Sequence, residues 1–240
     1  MNVQPLKKNI GSKLLSFCGS FTCLIFLIWS RADAITSLTT SEPFRKIEQS
    51  FEITTDSLPQ GWIDLHQLDS NVQIDIRYAT ADNFVHEVLY PCGRCILRAE
   101  VGYALRKVHK SIQEQGMRIK VMDCYRPRPV QQKLWEKVPD ARYVTPPSRG
   151  SMHNRGAAVD LTLLDSLGNQ LDMGTGYDFF GKEAYHTFQD LPADVLQRRT
   201  LLRKEMAKQG FKHIRTEWWH YSYQDESYEL ADFLWPCEGM

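Results

Sequence analysis

The sequence has no excess of charge of either sign. Its 29 basic and 29 acidic side chains cancel, so the formal net charge is zero at neutral pH. A protein that is drawn to nucleic acid or to an acidic membrane surface by long-range attraction usually carries a basic surplus. We therefore expect neither of these partners.

The sequence also lacks an apolar run of full membrane-spanning length. The longest such run, Leu14 to Trp29, has about 16 residues, whereas a spanning helix needs about 20. Lys7, Lys8 and Lys13 precede this run, and the small-x-small pattern Ala32-Asp33-Ala34 follows it. This order is typical of an export signal. We predict cleavage after the third residue of that pattern and a periplasmic or secreted chain without lasting membrane insertion; an uncleaved anchor is the alternative.

Internal repeats and low-complexity tracts are absent as well, so nothing indicates a repeat architecture. After the predicted signal peptide (residues 1–34), residues 35–60 are rich in Ser and Thr without a clear period, which is typical of a linker or arm. Residues 61–240 are predicted to form one domain. With 240 residues, 42% of them hydrophobic, the chain is long enough to bury a core.

Cysteine is scarce once the predicted signal is removed, with four residues at positions 92, 95, 124 and 237. Cys92 and Cys95 have the spacing of half a zinc knuckle, but no second pair shares it. A four-thiolate zinc site is therefore not expected. An even number of cysteines is compatible with disulfides in an exported protein. The pairing stays open, with a local disulfide or packed thiols as the simplest interpretations.

Hydrophobic periodicity predicts a mixture of short strands and helices. Residues 72–78 alternate apolar and polar side chains, as a strand with one buried face does. The same reasoning predicts further strands over residues 117–122, 159–164, 211–214 and 218–223, and helices over residues 100–115, 129–138 and 192–209. A polar cluster, Asp123 to Pro127, follows one of these strands, which is a common place for active-site groups.

Two separated segments carry the residue types of a metal site. His153 and Asp160 lie close together in the first segment, and His220 follows Glu217 by three residues in the second. Two imidazoles and one carboxylate suit a zinc ion that keeps a fourth position open for water, as catalytic zinc sites do. Glu217 is placed to be the base that acts on this water. The small residues 156–158 are expected to let the backbone pass close to metal and substrate.

The second segment poses a geometric problem. Residues 218–223 are aromatic and β-rich, which favours a strand over a helix. A regular strand would place Glu217 and His220 on opposite faces. Both can reach one metal only if the chain bulges or if Glu217 precedes the strand.

The combination of motifs resembles a known family. Ser-x-His followed by Asp160, together with Glu-x-x-His, resembles the signature of the zinc peptidases that share a fold with the hedgehog amino-terminal domain and the D,D-carboxypeptidases. Further segments resemble one branch, the D-alanyl-D-alanine dipeptidases, which includes the vancomycin-resistance enzyme. These segments are Arg77–Phe84, Asp123–Pro127, Met173–Asp178 and Glu217–Tyr221. The resemblance covers about residues 62 to 235.

This resemblance implies an α+β fold in which a small, largely antiparallel sheet is flanked by helices. It implies one zinc ion per chain, with His153, Asp160 and His220 as ligands. It also implies that Glu217 is the general base and passes its proton on to the leaving amine.

The resemblance assigns the remaining roles to residues of the other segments. Arg126 stabilises the charge that develops on the attacked carbonyl oxygen, and Asp123 and Tyr125 support it. Asp178 holds the free amino group of a small dipeptide substrate. Ser151 helps to hold the carboxylate end of that dipeptide.

Two alternatives remain open. A zinc D,D-carboxypeptidase that trims peptidoglycan stem peptides would share the metal ligands, although the segment around Asp178 favours the dipeptidase. A non-catalytic zinc-binding module of the same fold is the second alternative. Glu217 and Arg126 argue against it, since neither is needed to hold zinc. The best-known members of the family work in the cytosol, whereas this chain is predicted to be exported.

The predicted export signal can be tested directly. The mature protein, purified from cells that express it natively, should begin at Ile35 and be recovered outside the cytoplasm. Amino-terminal sequencing of that material measures the cleavage point. An intact Met1 on protein from the soluble cytosolic fraction would refute export.

Overall fold

The structure is a computed structural model that describes residues 58–223 and 228–237. The predicted signal peptide and all but the end of the predicted linker lie outside the described residues. None of the helices found in the described ranges combines the length and hydrophobicity that crossing a membrane requires.

Short strands alternate with four helices along the chain. The strands are β1 (Trp62–Asp64), β2 (Gln73–Ile74), β3 (Ile96–Arg98), β4 (Arg118–Asp123), β5 (Ala158–Leu164), β6 (Phe211–His213) and β7 (His220–Tyr223). The helices are α1 (Leu65–Leu68), α2 (Ala99–Gln113), α3 (Arg128–Lys137) and α4 (Ala193–Lys208). Three single 3₁₀ turns lie in the connecting loops: Arg77–Ala79, His153–Arg155 and Lys182–Ala184.

Five strands form the main sheet in the order β2-β4-β5-β7-β6. β2 pairs with β4 in parallel, and the other three pairs are antiparallel. β1 and β3 form a separate antiparallel pair. The predicted α+β fold with a small, largely antiparallel sheet and flanking helices is therefore confirmed.

The central strand β5 separates the core from the functional face. All seven of its residues are buried. Val159, Leu161 and Leu163 belong to the hydrophobic core. Asp160 points to the opposite face because successive side chains alternate along a strand. Helix α2 packs against β4 and against α4, which in turn contacts β6.

The first predicted strand is wrong over most of its length. Within residues 72–78, only Gln73 and Ile74 pair with a neighbour, and the chain then turns into the 3₁₀ segment that begins at Arg77. The alternation was informative about burial, since Ile76 and Tyr78 are both core residues. They reach the core from a turn. The Asn83 side chain supports this turn by donating to the carbonyls of Arg77 and two other residues.

The last strand begins later than predicted, and this resolves the geometric problem posed by its sequence. β7 starts at His220, so Glu217 lies in the bend that precedes the strand. Because Glu217 lies outside the strand, the alternation of side chains between the two faces does not determine its direction. Glu217 and His220 consequently line the same cavity.

The four cysteines form two disulfides, neither of them local. Cys92 bonds to Cys237, and Cys95 bonds to Cys124. The expected alternatives of a Cys92–Cys95 bond or packed thiols are therefore wrong. The first disulfide attaches the carboxy-terminal segment, which packs Trp235 against Tyr90 and Tyr125. Sequence spacing could not reveal this pairing because it spans 145 positions.

The Cys92–Cys237 disulfide should contribute measurably to stability. Replacing both residues by serine should lower the free energy of unfolding by about 2–4 kcal/mol, because the unfolded chain regains the entropy of a long loop. Denaturant unfolding of the oxidised proteins measures the difference. In reducing denaturant, variant and wild type should unfold at closely similar midpoints. An equal midpoint for the two oxidised proteins would contradict the expectation.

Candidate active site

Three neighbouring strands place ionisable side chains in a row across the sheet. Asp123 at the end of β4 is opposite Asp160 on β5, and Asp160 is opposite His220 at the start of β7. Residues that face each other on adjacent strands share one side of the sheet. An irregularity between Val121 and Asp123 shifts the register of β4 just before the row. Such a bulge can re-aim a side chain next to a site.

His153 completes a cluster of three potential metal ligands. It lies in a 3₁₀ turn just before β5. His153 Nε2 is 3.1 Å from His220 Nδ1 and 3.3 Å from Asp160 Oδ1, and the last two atoms are 3.0 Å apart. The corners of a tetrahedron around a zinc ion lie about 3.3–3.4 Å apart when the bonds are about 2.0–2.1 Å long. The three donor atoms therefore fit one face of a tetrahedral metal site.

The second nitrogen of each imidazole is engaged outside the cluster. His153 Nδ1 donates to the carbonyl of Cys124 over 2.7 Å. This leaves Nε2 unprotonated and directed at the cluster, as a metal ligand requires. His220 Nε2 is 2.9 Å from Ser222 Oγ, which leaves Nδ1 for the metal. Burial lowers the pKa of His220 and thereby favours its neutral, metal-binding form.

Arg126 is held beside this cluster by hydrogen bonds on two sides. Its Nε and Nη2 atoms donate to Asp123 Oδ2 over 3.0 and 2.6 Å, and Nη1 donates to Gln131 Oε1 over 2.9 Å. A guanidinium has five N–H donors, so two remain for another partner. Arg126 Nη2 also lies 4.0 Å from Asp160 Oδ2. The guanidinium is thus fixed next to the potential metal site and lines the cavity.

Glu217 is a buried carboxyl group on the wall of the same cavity. None of the described residues donates a hydrogen bond to its side chain. Burial, followed by the charges of Asp160 and Asp178, raises the pKa of Glu217 well above its ordinary value. A carboxylate with a raised pKa accepts a proton more readily, which suits a general base.

Asp178 lies in a loop and is half-buried at the cavity. Its backbone is left-handed, with φ of 57°, which is uncommon for a residue other than glycine. Its Oδ2 atom accepts a hydrogen bond of 2.9 Å from the hydroxyl of Tyr78. Burial and the nearby charge of Asp160 raise the pKa of Asp178 to about 8. A cationic ligand would relieve this repulsion.

Ser151 and Gly156 shape the loop that carries His153. Ser151 Oγ accepts a hydrogen bond of 3.2 Å from the His153 amide and lines the cavity. Gly156 adopts φ of 67°, and a Cβ atom there would lie 2.2 Å from the Trp62 ring. Glycine is therefore needed for the turn and for packing against Trp62. Room near the metal, the expected reason, does not account for it.

One cavity of about 460 Å³ brings together all seven residues singled out in the sequence. They are Arg126, Ser151, His153, Asp160, Asp178, Glu217 and His220. Arg126 is the only buried lysine or arginine among the described residues of the lining. Three carboxylates in one buried site therefore face a single buried guanidinium, and a divalent cation would restore the balance.

Several supporting contacts were not predicted, and one prediction is wrong. Asp123 does hold Arg126, but Tyr125 turns away and stacks on Phe233, so it supports the carboxy-terminal segment. Gln131 holds Arg126 as well, and the Tyr177 hydroxyl donates to Asp160 Oδ2 over 3.0 Å. Tyr78 and Tyr177 both lie in segments that resemble the dipeptidases. Sequence spacing gave no sign of the partners they contact.

The fold and the site together define a class of protein. Two imidazoles and a carboxylate converge on one point beside a buried glutamate and a buried arginine, which is the constellation of a metal-dependent hydrolase. A family model described as D-Ala-D-Ala dipeptidase, of the M15 peptidases, matches residues 59–234. The chain belongs to this family of metallopeptidases.

Relatives in two bacteria extend the comparison. The chain is 36% identical to the D-alanyl-D-alanine dipeptidase of Escherichia coli K12 over 176 residues, which cover 73% of this chain and 91% of the relative. It is 31% identical to the enzyme of that name from Enterococcus faecalis, covering 71% and 95%. A solved structure of the vancomycin resistance D,D-pentapeptidase VanY aligns with a TM-score of 0.39 and 16% identity over 65% of this chain and 88% of that chain. That structural likeness is too weak to inform the function.

The ligand assignment predicts how metal content responds to substitution. His153→Ala should lose at least about 10-fold in metal affinity, since even outer contacts of a ligand can contribute that much. Glu217→Gln should keep its metal, because Glu217 is not one of the three clustered donors. Elemental analysis after dialysis against a weak chelator measures both.

His66→Ala provides the matched control, because this histidine is exposed and lies outside the cavity. It should retain the wild-type metal content. Full metal content in His153→Ala would remove that residue from the ligand set.

Proposed function

We propose that this protein is a zinc dipeptidase that hydrolyses D-alanyl-D-alanine to two D-alanine molecules. The observation that carries the proposal is the position of Asp178 in the same cavity as the potential metal ligands and Glu217. A carboxylate at that place can pair with the ammonium group of a free dipeptide. The names of the relatives support the same substrate.

Zinc is the metal that the ligand set suits best, since two imidazoles and one carboxylate are found in catalytic zinc sites with an open position. Bound there, zinc would polarise the scissile carbonyl and lower the pKa of water towards neutrality. The single described cluster of three potential ligands supports one ion per chain.

Glu217 is assigned the proton transfers. Its buried carboxylate accepts a proton from the attacking water and then delivers it to the nitrogen of the leaving D-alanine. The raised pKa of Glu217 favours the first of these transfers. A group that acts as base and then as acid must stay close to both atoms, and burial of Glu217 restrains its movement.

Arg126 is assigned the role of stabilising the negative charge that develops on the carbonyl oxygen during attack. Two of its N–H donors remain after Asp123 and Gln131 are bound. Because these two contacts fix the guanidinium in advance, it does not need to reorganise when the charge appears. An arginine stays charged throughout, which suits this role.

The two ends of the substrate are assigned to Asp178 and Ser151. Asp178 pairs with the ammonium group, and Ser151 helps to hold the terminal carboxylate. Fixed partners at both ends would select substrates that have the length of a dipeptide. A longer peptide presents a neutral amide to Asp178, which leaves its carboxylate without a charged partner.

Export is part of the proposal. The amino-terminal pattern supports it, and so do the two disulfides, because such bonds persist in oxidising compartments and are rare in the cytosol. The enzyme would then act on D-alanyl-D-alanine that is released or encountered outside the cytoplasm, in the periplasm or beyond the cell.

The test compares two substrates that differ only at the amino end. D-alanyl-D-alanine should be cleaved rapidly, and N-acetyl-D-alanyl-D-alanine more slowly by ~10⁴-fold or more, as expected of a site built around a polar partner that the analogue lacks. Steady-state kinetics of the zinc-loaded enzyme on both substrates measures the ratio of kcat/KM values.

Asp178→Asn should lower kcat/KM for the free dipeptide and so bring the kcat/KM values of the two substrates closer together. Glu217→Gln should lower kcat by ~10²–10⁴-fold while keeping its metal. Equal wild-type rates on the two substrates would sink the dipeptidase assignment. A preference for the acetylated substrate or a stem pentapeptide would instead indicate a D,D-carboxypeptidase.

A further inference from the structure

The loop that carries Asp178 has little regular structure of its own. It runs from residue 172 to residue 185, between β5 and α4, and contains only one 3₁₀ turn. Both Gly174 and Asp178 in this loop have left-handed backbone conformations. The carboxylate of Asp178 therefore depends on side chains from elsewhere for its position, because no strand pairing holds this segment.

Arg199 of α4 forms hydrogen bonds with this loop both before and after Asp178 in the chain. Its Nε atom donates to the carbonyl of Met173 over 2.7 Å. Its Nη1 atom donates to the carbonyls of Glu183 and Tyr185 over 3.0 and 3.3 Å. One planar guanidinium thus joins the beginning of the loop to its end and fixes the span within which Asp178 lies.

The polar contacts of the Arg199 guanidinium are all made with this loop. The side chain is buried, and none of the ion pairs among the described residues includes it. The carboxylate whose charge acts on it, Asp172, belongs to the same loop. Burying a cation without a direct ion pair is costly, and an apolar residue could fill the same space. All of its hydrogen bonds go to carbonyls of the loop. Its Nη2 atom lies so close to Gly174 that a Cβ atom there would be 3.0 Å away.

A second contact links the same anchor to the segment that carries Glu217. The Arg199 guanidinium lies over the ring of Trp218, 5.8 Å from its centroid. Trp218 follows Glu217 in the chain, and its Nε1 atom donates to Thr175 Oγ1 over 2.8 Å. The loop is thereby tied to the bend before β7 as well as to α4.

We infer that Arg199 is a positioning residue for substrate selection, which sets the place of the Asp178 carboxylate and acts on the substrate ammonium group through it. This inference rests on the proposed function. Arg199 does not line the cavity, so it touches neither the metal ligands nor the substrate. Its loss should therefore weaken recognition of the free amino group and leave metal binding intact.

A double-mutant cycle separates this role from general support of the fold. Arg199→Met should raise KM for D-alanyl-D-alanine by ~10–100-fold, since a misplacement of about 1 Å can be that costly. Its kcat and metal content should change much less. In an Asp178→Asn background the same substitution should add less than about 3-fold, because the group through which it acts is already lost.

Two further variants keep the test decisive. Lys204→Met removes a charge from an exposed position of the same helix and should leave KM unchanged. Thr175→Val removes the acceptor of the Trp218 hydrogen bond at a partly exposed site, and it leaves the buried Arg199 in place. It should also raise KM for D-alanyl-D-alanine, by a smaller factor than Arg199→Met. The inference can therefore still be tested if Arg199→Met does not fold.

The possible outcomes point to different failures. If Arg199→Met keeps its full effect in the Asp178→Asn background, the arginine does not act through Asp178 and the inference is overturned. Unchanged KM in both Arg199→Met and Thr175→Val overturns it as well. If Asp178→Asn alone leaves KM unchanged, the role assigned to Asp178 in the proposed function fails, and the inference falls with it.

Discussion

The row of side chains across β4, β5 and β7 is the constraint on which the rest of the site depends. Asp160 stands at its centre, between Asp123 and His220. If one of these strands slipped by one residue, its side chain in the row would turn to the other face of the sheet. Core packing of β5 opposes a slip of that strand, because the slip would also turn the apolar side chains that alternate with Asp160 away from the core. Core packing thus fixes the geometry of the chemistry.

Electrostatic imbalance is the second organising property of the site. Asp123 is fully buried and accepts two hydrogen bonds from Arg126, and breaking such a buried pair typically costs about 3–5 kcal/mol. With Arg126 bound in this way, Asp160, Asp178 and Glu217 compete for what remains of its positive charge. Burial raises the pKa values of Asp178 and Glu217, and repulsion by the charge of Asp160 raises them further. Under the proposed function, two cations would offset this negative charge: a metal ion and the ammonium group of the substrate.

Sequence reasoning succeeded where a signal is local and failed where it depends on contacts distant in the chain. The helices α2, α3 and α4 begin and end within two residues of the predicted bounds, since apolar periodicity reports directly on a buried face. The predicted strand over residues 72–78 failed because buried residues in a turn can produce the same alternation. The seven candidate site residues came from motifs, and the structure brings all of them to one cavity. The disulfide partners and the grip of Arg199 join residues that no spacing rule connects.

The order in which the ligands occur along the chain has a consequence for biosynthesis. His220 lies 67 positions after His153, and it reaches the cluster only when β7 has inserted beside β5. A nascent chain that has not yet reached β7 therefore lacks one of the three potential metal ligands. The bond from Cys92 to Cys237 needs a partner that is synthesised after β7. The cluster of potential ligands can therefore form only after the chain has been made beyond the start of β7.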